Sequence, residues 1–314
     1  MSRVVFMGTP EFAVPTLHAL LDHSDFAVVG VVTQPDRPAG RGQEARPSPV
    51  KHVALEAGIP VFQPEKLRTP EAFARLQAWT PDLIVVAAFG QILRQNVLDL
   101  PAQGCINVHA SLLPRWRGAA PIPAAIRAGD AESGVTIMQM DAGMDTGPIL
   151  AQRAIPLDPR ETGQSLHDKL ALLGGELLLE TLPAYLSGRI RPRPQPDDPT
   201  LITYAPPLHK EDGLIDWARS ATEIDRLVRA FTPWPGTFTY WCGRLLKVLG
   251  GTAAEGAGEP GRVIRHGAGL AIGTGSGVFV VERLQLEGRK AMSAEEFTRG
   301  QPAIVGALLG GAAT

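Results

Sequence analysis

The sequence predicts an α/β protein: a doubly wound, mostly parallel, Rossmann-like sheet followed by a small OB-like β-barrel. Three observations predict it. Through the first half, short apolar runs ending in glycine or proline alternate with segments of helical period. A stretch rich in proline and arginine, Ser187–Pro199, then interrupts the pattern. Beyond Thr203 the chain breaks into short β-type runs separated by glycines.

Arg3–Met7 reads as the first strand, closed by Gly8-Thr9-Pro10. Glu11–Leu21 carries Phe12, Val14, Leu17, Leu20 and Leu21 near helical period, with Pro15 in the first turns, where a missing N–H costs least. Ala27–Val32, Leu83–Ala88 and Cys105–Val108 are further buried strands, and helices are expected around Val50–Ala57 and Pro70–Trp79. Val135–Met140 and Ile149–Ile155 follow as strands. Ser165–Leu186 is a long helix, with Ser165 and Asp168 spaced as a capping box. In the second module one helix, Ala221–Ala230, precedes strands at Phe238–Tyr240, Leu245–Leu249, Gly261–Ile264, Leu270–Ile272 and Val278–Leu284. The resulting division is 1–187 for the first domain, 188–203 for a stiff linker and 204–314 for the barrel, in which Trp234 and Trp241 are expected as core.

Composition narrows the function classes. Hydrophobic residues make up 44% and charged residues 20%, as in globular domains. The formal charge of −2 excludes a generally basic protein but not a local basic patch. From Pro206 onward twelve Lys/Arg face eleven Asp/Glu, so nucleic-acid binding there would need charges segregated on one face. Two cysteines cannot form a disulfide framework, and no histidine spacing suggests a metal site. No stretch is long and apolar enough for a membrane span, so a cytoplasmic protein is expected.

In an open α/β sheet, ligands sit beyond the carboxyl ends of the strands. Asn107 and His109 fall there on one side of a strand, with Val108 opposite. Asp141-Ala-Gly-Met-Asp145-Thr-Gly147 follows another strand as a glycine-hinged loop with two carboxylates. An amide and an imidazole suit stabilisation of an oxyanion; an imidazole and a carboxylate suit proton transfer. A core histidine and a turn aspartate are the bland alternative. Cys105, mid-strand, reads as a small buried hydrophobe rather than a nucleophile. Gly8-Thr9-Pro10 lacks the spacing of a nucleotide loop. Arg115 and Arg117, flanking Trp116, fit a solvated face as well as an anionic ligand.

Gly104–Ile122, reading GCINVHASLLPRWRGAAPI, resembles the signature of the folate-dependent formyltransferases. Phe6–Pro10, Thr33–Gly42, Gly134–Asp141, Phe231–Pro235 and Lys290–Ser293 extend the likeness along essentially the whole chain. The Asp36–Gly42 loop and the second module point to the branch that formylates methionyl-tRNA. That resemblance implies 10-formyltetrahydrofolate as formyl donor and the α-amino group of initiator methionyl-tRNA as acceptor, with no metal; a monomer is expected. It places Asn107, His109 and Asp145 at the catalytic positions. Ser111, Leu112, Leu113 and Pro114 fall on the folate-binding segment, and backbone around Phe89, Gln91 and Leu93, with the Asp141–Asp145 loop, would hold the pterin. Gln34–Pro49 would approach the tRNA through Arg37, Arg41 and Arg46. Where the family runs Gly-Arg-Gly into two lysines, this chain has Gln43-Glu44. The competing readings are a nucleotide-sugar formyltransferase, a formyl-folate hydrolase, and a non-catalytic tRNA-binding protein.

Overall fold

The computed structural model describes residues 1–39 and 44–310. Its main sheet opens with β1 (Ser2–Gly8) and β2 (Phe26–Val32), joined by α1 (Val14–Leu21). Val4 to Met7 are fully buried, as in a strand covered on both faces. The helix expected over 11–21 begins with a 3-10 turn, Glu11–Ala13, and becomes α-helical at Val14. Pro15 sets that start, because a first turn is where a residue without an N–H is tolerated.

A hairpin of β3 (Arg37–Ala39) and β4 (Glu44–Arg46) precedes α2 (Pro49–Glu56). Then come β5 (Val61–Phe62), α3 (Pro70–Ala78), β6 (Leu83–Ala87), the short α4 (Gln95–Leu98) and β7 (Cys105–His109). β8 (Arg117–Gly118), α5 (Pro121–Ala128), β9 (Glu132–Gln139), β10 (Ile149–Pro156) and α6 (Gly163–Leu186) follow. Ser48 and Thr69 start α2 and α3 by accepting the N–H of Lys51 and Ala72. The box expected at Ser165–Asp168 is corrected by one turn. Thr162 Oγ1 accepts from Ser165 N (3.1 Å) and Ser165 Oγ accepts from Thr162 N (3.0 Å), so Ser165 is the second member.

The sheet order is β10-β9-β7-β6-β1-β2-β5. β7 through β5 are parallel, whereas β9 runs antiparallel to both β7 and β10. Residues 140–148, between β9 and β10, are too few for the crossover that parallel neighbours require. From β1 the chain steps outward through β2 to β5, then returns to build β6 and β7 on the other side. The strand order therefore reverses beside β1, where open α/β sheets bind ligands.

Two compact units emerge: Met1–Pro121, Glu132–Pro156 and His167–Pro206 in one; Ile122–Ala131, Leu157–Leu166 and Pro207 onward in the other. β11 (Tyr204–Ala205) pairs parallel with β8 in the first unit. The second unit holds α7 (Ala221–Ala230), β12 (Thr237–Trp241), β13 (Arg244–Ala254), β14 (Val263–His266), β15 (Gly269–Gly273), β16 (Val278–Leu286), β17 (Met292–Ser293) and α8 (Ala294–Gly300). These strands form an antiparallel sheet, β12-β13-β16-β15-β14, with β17 added on β16. β17 and α8 go beyond the five strands read from the sequence, although Ser293 and Glu296 do form a capping box at α8. Trp241 is buried edge-on to Phe297, as expected of core. Trp234 is 57% exposed, correcting its assignment to the core: it lies in the turn between α7 and β12 and so has no inward strand face to occupy.

Candidate active site

β7, separated from β1 by β6, delivers Asn107 and His109, both nearly buried, to one face. The Asn107 side-chain amide makes no hydrogen bond among the described residues. Thr16 Oγ1 is the one fully buried side-chain polar atom without a partner among the described residues, so the unpaired Asn107 amide reaches solvent. His109 Nε2 lies 3.0 Å from the Trp116 carbonyl, which can only accept, so Nε2 carries a proton. His109 Nδ1 faces Asp145 Oδ2 at 3.7 Å, beyond hydrogen-bond length.

Asp145 is presented by the loop from β9 to β10. Asp141 folds that loop: its Oδ1 accepts from Gly143 N (3.0 Å) and Thr146 Oγ1 (2.7 Å). Gly147 is needed by close approach, since a Cβ there would lie 1.9 Å from the Gln139 carbonyl. Asp145 itself adopts φ +53°, a left-handed conformation that Asp tolerates better than most residues. Its Oδ2 accepts from Gly118 N at 2.8 Å, anchoring the carboxylate to β8.

The Ser111–Pro114 segment is held from behind. Ser111, Leu113 and Pro114 are buried, and Leu113 packs with Met138 and Ile149. Thr136 Oγ1 donates to the Ser111 carbonyl (2.6 Å) and accepts from Leu113 N (3.1 Å). Gln152 Nε2 donates to the Leu113 carbonyl and to Thr136 Oγ1, both at 2.9 Å. Phe89 and Leu93 are core residues, and the Gln91 side chain bonds Leu67 N and the Pro64 carbonyl. Any ligand contact from these stretches therefore falls mainly to their backbone.

Of the loop arginines, Arg41 lies outside the described residues, as does Gln43. Arg37 and Arg46 stand directly across from one another in the hairpin of β3 and β4, and Arg46 is exposed. At the hairpin's base, Asp36 binds Lys51 and accepts from Gln63 Nε2 (2.8 Å). Gln63 also donates to the Gln34 carbonyl (2.8 Å), and Gln34 Nε2 to the Phe89 carbonyl (3.1 Å). The Lys51 contact, then Gln63, holds the Asp36 carboxyl below its ordinary value near 3.8. A depressed folded-state pKa stabilises the fold above the unfolded value and is lost as pH falls toward the depressed one. Asp36→Asn is therefore expected to cost about 1 kcal/mol at pH 7. The gap to wild type should close between pH 4 and more acid solution, in denaturant melts at both pH values; a gap independent of pH would contradict this role.

Cys105 is buried and its thiol pushed up to about 12 by desolvation, as befits a packing residue. Arg117 is also buried, and its guanidinium bonds Gln195 rather than solvent. Arg115 stacks over the Trp116 ring at 4.4 Å. Residues 188–203 bond to the site at several points. Arg193 and Ile149 exchange both backbone hydrogen bonds, and Thr203 Oγ1 accepts from Trp116 N (2.8 Å). Thr136, Gln152, Gln195 and Thr203 are polar residues that sequence reasoning did not single out. Each acts on backbone distant in sequence, which periodicity cannot reveal; the polar Thr136 inside an apolar strand run was the one available signal.

The formyl transferase family profile matches residues 2–182, and the formyl transferase C-terminal domain profile matches 207–302. The methionyl-tRNA formyltransferase of Geotalea uraniireducens (strain Rf4) is 52% identical over 309 residues, spanning 98% of each chain. That of Myxococcus xanthus (strain DK1622) is 51% identical over 299 residues, spanning 95% of each. Among solved structures, an N-formyltransferase from Helicobacter canadensis, in complex with folinic acid and dTDP-3-aminofucose, aligns with TM-score 0.65 at 18% identity. It covers 90% of this chain and 98% of that one. HypX from Aquifex aeolicus in complex with tetrahydrofolic acid aligns with TM-score 0.61 at 18% identity, covering 96% of this chain and 47% of that one. At such identity these two structures bear on the fold alone.

Proposed function

The chain belongs to the formyl transferase family, among its methionyl-tRNA formyltransferases, and from that premise we propose how its own residues carry the reaction. The donor is 10-formyltetrahydrofolate, and the acceptor is the α-amino group of initiator methionyl-tRNA, in the cytoplasm and on a monomeric enzyme. One observation carries the reading: β7 presents Asn107 and His109 on one face beyond the parallel strands, and His109 Nδ1 lies 3.7 Å from Asp145 Oδ2.

An α-amino group has a reference pKa near 7.7–8.0, so a useful fraction is neutral at pH 7. Its lone pair attacks the formyl carbon, and the carbonyl electrons move onto oxygen. Asn107 donates to that oxyanion, and so does His109 once its Nδ1 has taken up a proton; one such donor contributes about 2.7–4 kcal/mol. With Nε2 committed to Trp116, Nδ1 is the His109 nitrogen with free capacity, and it faces Asp145 Oδ2 at 3.7 Å. Asp145 accepts the proton that the attacking nitrogen loses, directly or through a water. That proton passes from Asp145 to His109 Nδ1, which delivers it to the departing donor nitrogen as the old C–N bond breaks.

Backbone at 89–93, the Ser111–Pro114 segment and the Asp141–Asp145 loop would hold the folate. Segment 34–49 with its Arg37, Arg41 and Arg46, together with the second unit, would meet the tRNA. The test supplies formyl-labelled donor with methionyl-tRNA, with an amino-sugar nucleotide, or with water alone as acceptor. Formyl-methionyl-tRNA should form fastest by a wide margin. Equal or faster transfer to the amino sugar, or hydrolysis outrunning both, would overturn the choice of acceptor.

A further inference from the structure

Gln195 stands between Pro194 and Pro196, in the segment that follows α6, yet its side chain reaches the turn carrying Asp145. Its Nε2 donates to the Asp145 carbonyl at 2.7 Å and to the Gly147 carbonyl at 2.8 Å. Its Oε1 accepts from Arg117 Nη2 at 2.7 Å and Nε at 3.2 Å. The amide orientation is unambiguous, because a guanidinium only donates and a carbonyl only accepts. A single amide does both jobs: Glu here would lose the donors, Lys the acceptor, Ala all four bonds. The flanking prolines keep the backbone extended, and Arg193 is locked to Ile149 by paired backbone bonds (2.7 and 2.9 Å), so the amide is held in place before substrate arrives.

We propose that Gln195 is a positioning residue for formyl transfer. It pins both ends of the Asp145–Gly147 turn, keeps Asp145 in its left-handed conformation, and so fixes the carboxylate against His109. Arg117, buried in the signature segment, orients the Gln195 amide for that task. This rests on the reading of Asp145 as proton acceptor. Gln195 touches no reacting atom; its effect comes through the placement of Asp145, where an error near 1 Å can cost on the order of 100-fold in rate.

The test uses the full-length protein with methionyl-tRNA and 10-formyltetrahydrofolate. Gln195→Ala removes every bond; Gln195→Glu keeps the acceptor for Arg117 and removes only the donors to the two carbonyls. Both should lower kcat by roughly tenfold to a hundredfold, with KM for each substrate within about twofold of wild type. In an Asp145→Asn background, followed in single turnovers with enzyme in excess, Gln195→Glu should lower the residual rate by less than about twofold. Wild-type kcat in Gln195→Glu, or an undiminished further loss in the Asp145→Asn background, would overturn the proposal while leaving the role of Asp145 intact. Full activity of Asp145→Asn alone would overturn that role, and the proposal with it. Should Gln195→Ala not accumulate as folded protein, Gln195→Glu decides the question by itself.

Discussion

Asp145→Ala is expected to lower kcat by about 1000-fold, inside the 10²–10⁴ range for a positioned acid–base group. Two effects combine. The proton leaving the attacking amine loses its acceptor, and Gly118 N loses the carboxylate oxygen 2.8 Å away. Alanine also tolerates φ +53° poorly, which adds about 1–2 kcal/mol of instability. Asp145→Asn separates the two contributions. Its amide oxygen still accepts from Gly118 N and Asn is at ease in the left-handed region, so folding should be nearly intact while kcat still falls by 100-fold or more. Rapid-quench formylation and thermal melts on both variants check this. An Asn variant as active as wild type would show that Asp145 serves only to shape the turn.

Asn107→Ala and His109→Ala should each lower kcat by about 100-fold or more, with donor affinity little changed, because both groups act on charge that develops only as the oxyanion forms. Their stability effects should differ. The Asn107 amide has no partner among the described residues, so its removal orphans nothing and the melting temperature should hold or rise. Removing the His109 ring leaves the Trp116 carbonyl without its 3.0 Å partner and a gap in a nearly buried site, so that variant should melt earlier. Equilibrium folate binding, steady-state kinetics and melts on the pair test this directly. Either variant turning over within threefold of wild type would remove that residue from the oxyanion site.

Much of this was legible because the relevant signals are local. The apolar runs at Val4–Met7 and Leu83–Ala87 read as strands covered on both faces, and the stretches around Val50–Ala57 and Pro70–Trp79 read as helices from their own residues. Asn107 and His109 fall two apart on such a strand, so their shared face follows from the pleat. Less legible were features set by which segments meet. The antiparallel course of β9 depends on its pairing with β7, and the burial of Arg117 depends on Gln195, 78 residues away. Trp234 looked like core by residue type, but a turn gave it no core to face.

Short elements such as β5, β8, α4 and α5 aside, the sequence by itself determined the longer strands and helices, the strand ends where chemistry could gather, and the family whose residues stand there. Those are consequences of periodicity, capping and short motifs, each confined to a few neighbours along the chain. Only the tertiary structure decided that His109 Nε2 is spent on the Trp116 carbonyl, that Asp145 sits at positive φ, and that a glutamine between two prolines braces the turn beneath it. The physical reason is that hydrogen-bond partners, like burial, are pairwise properties of groups brought together in space. A chain spells out its donors and acceptors one at a time; the fold alone settles which of them pair and which, like the Asn107 amide, find no partner among the described residues.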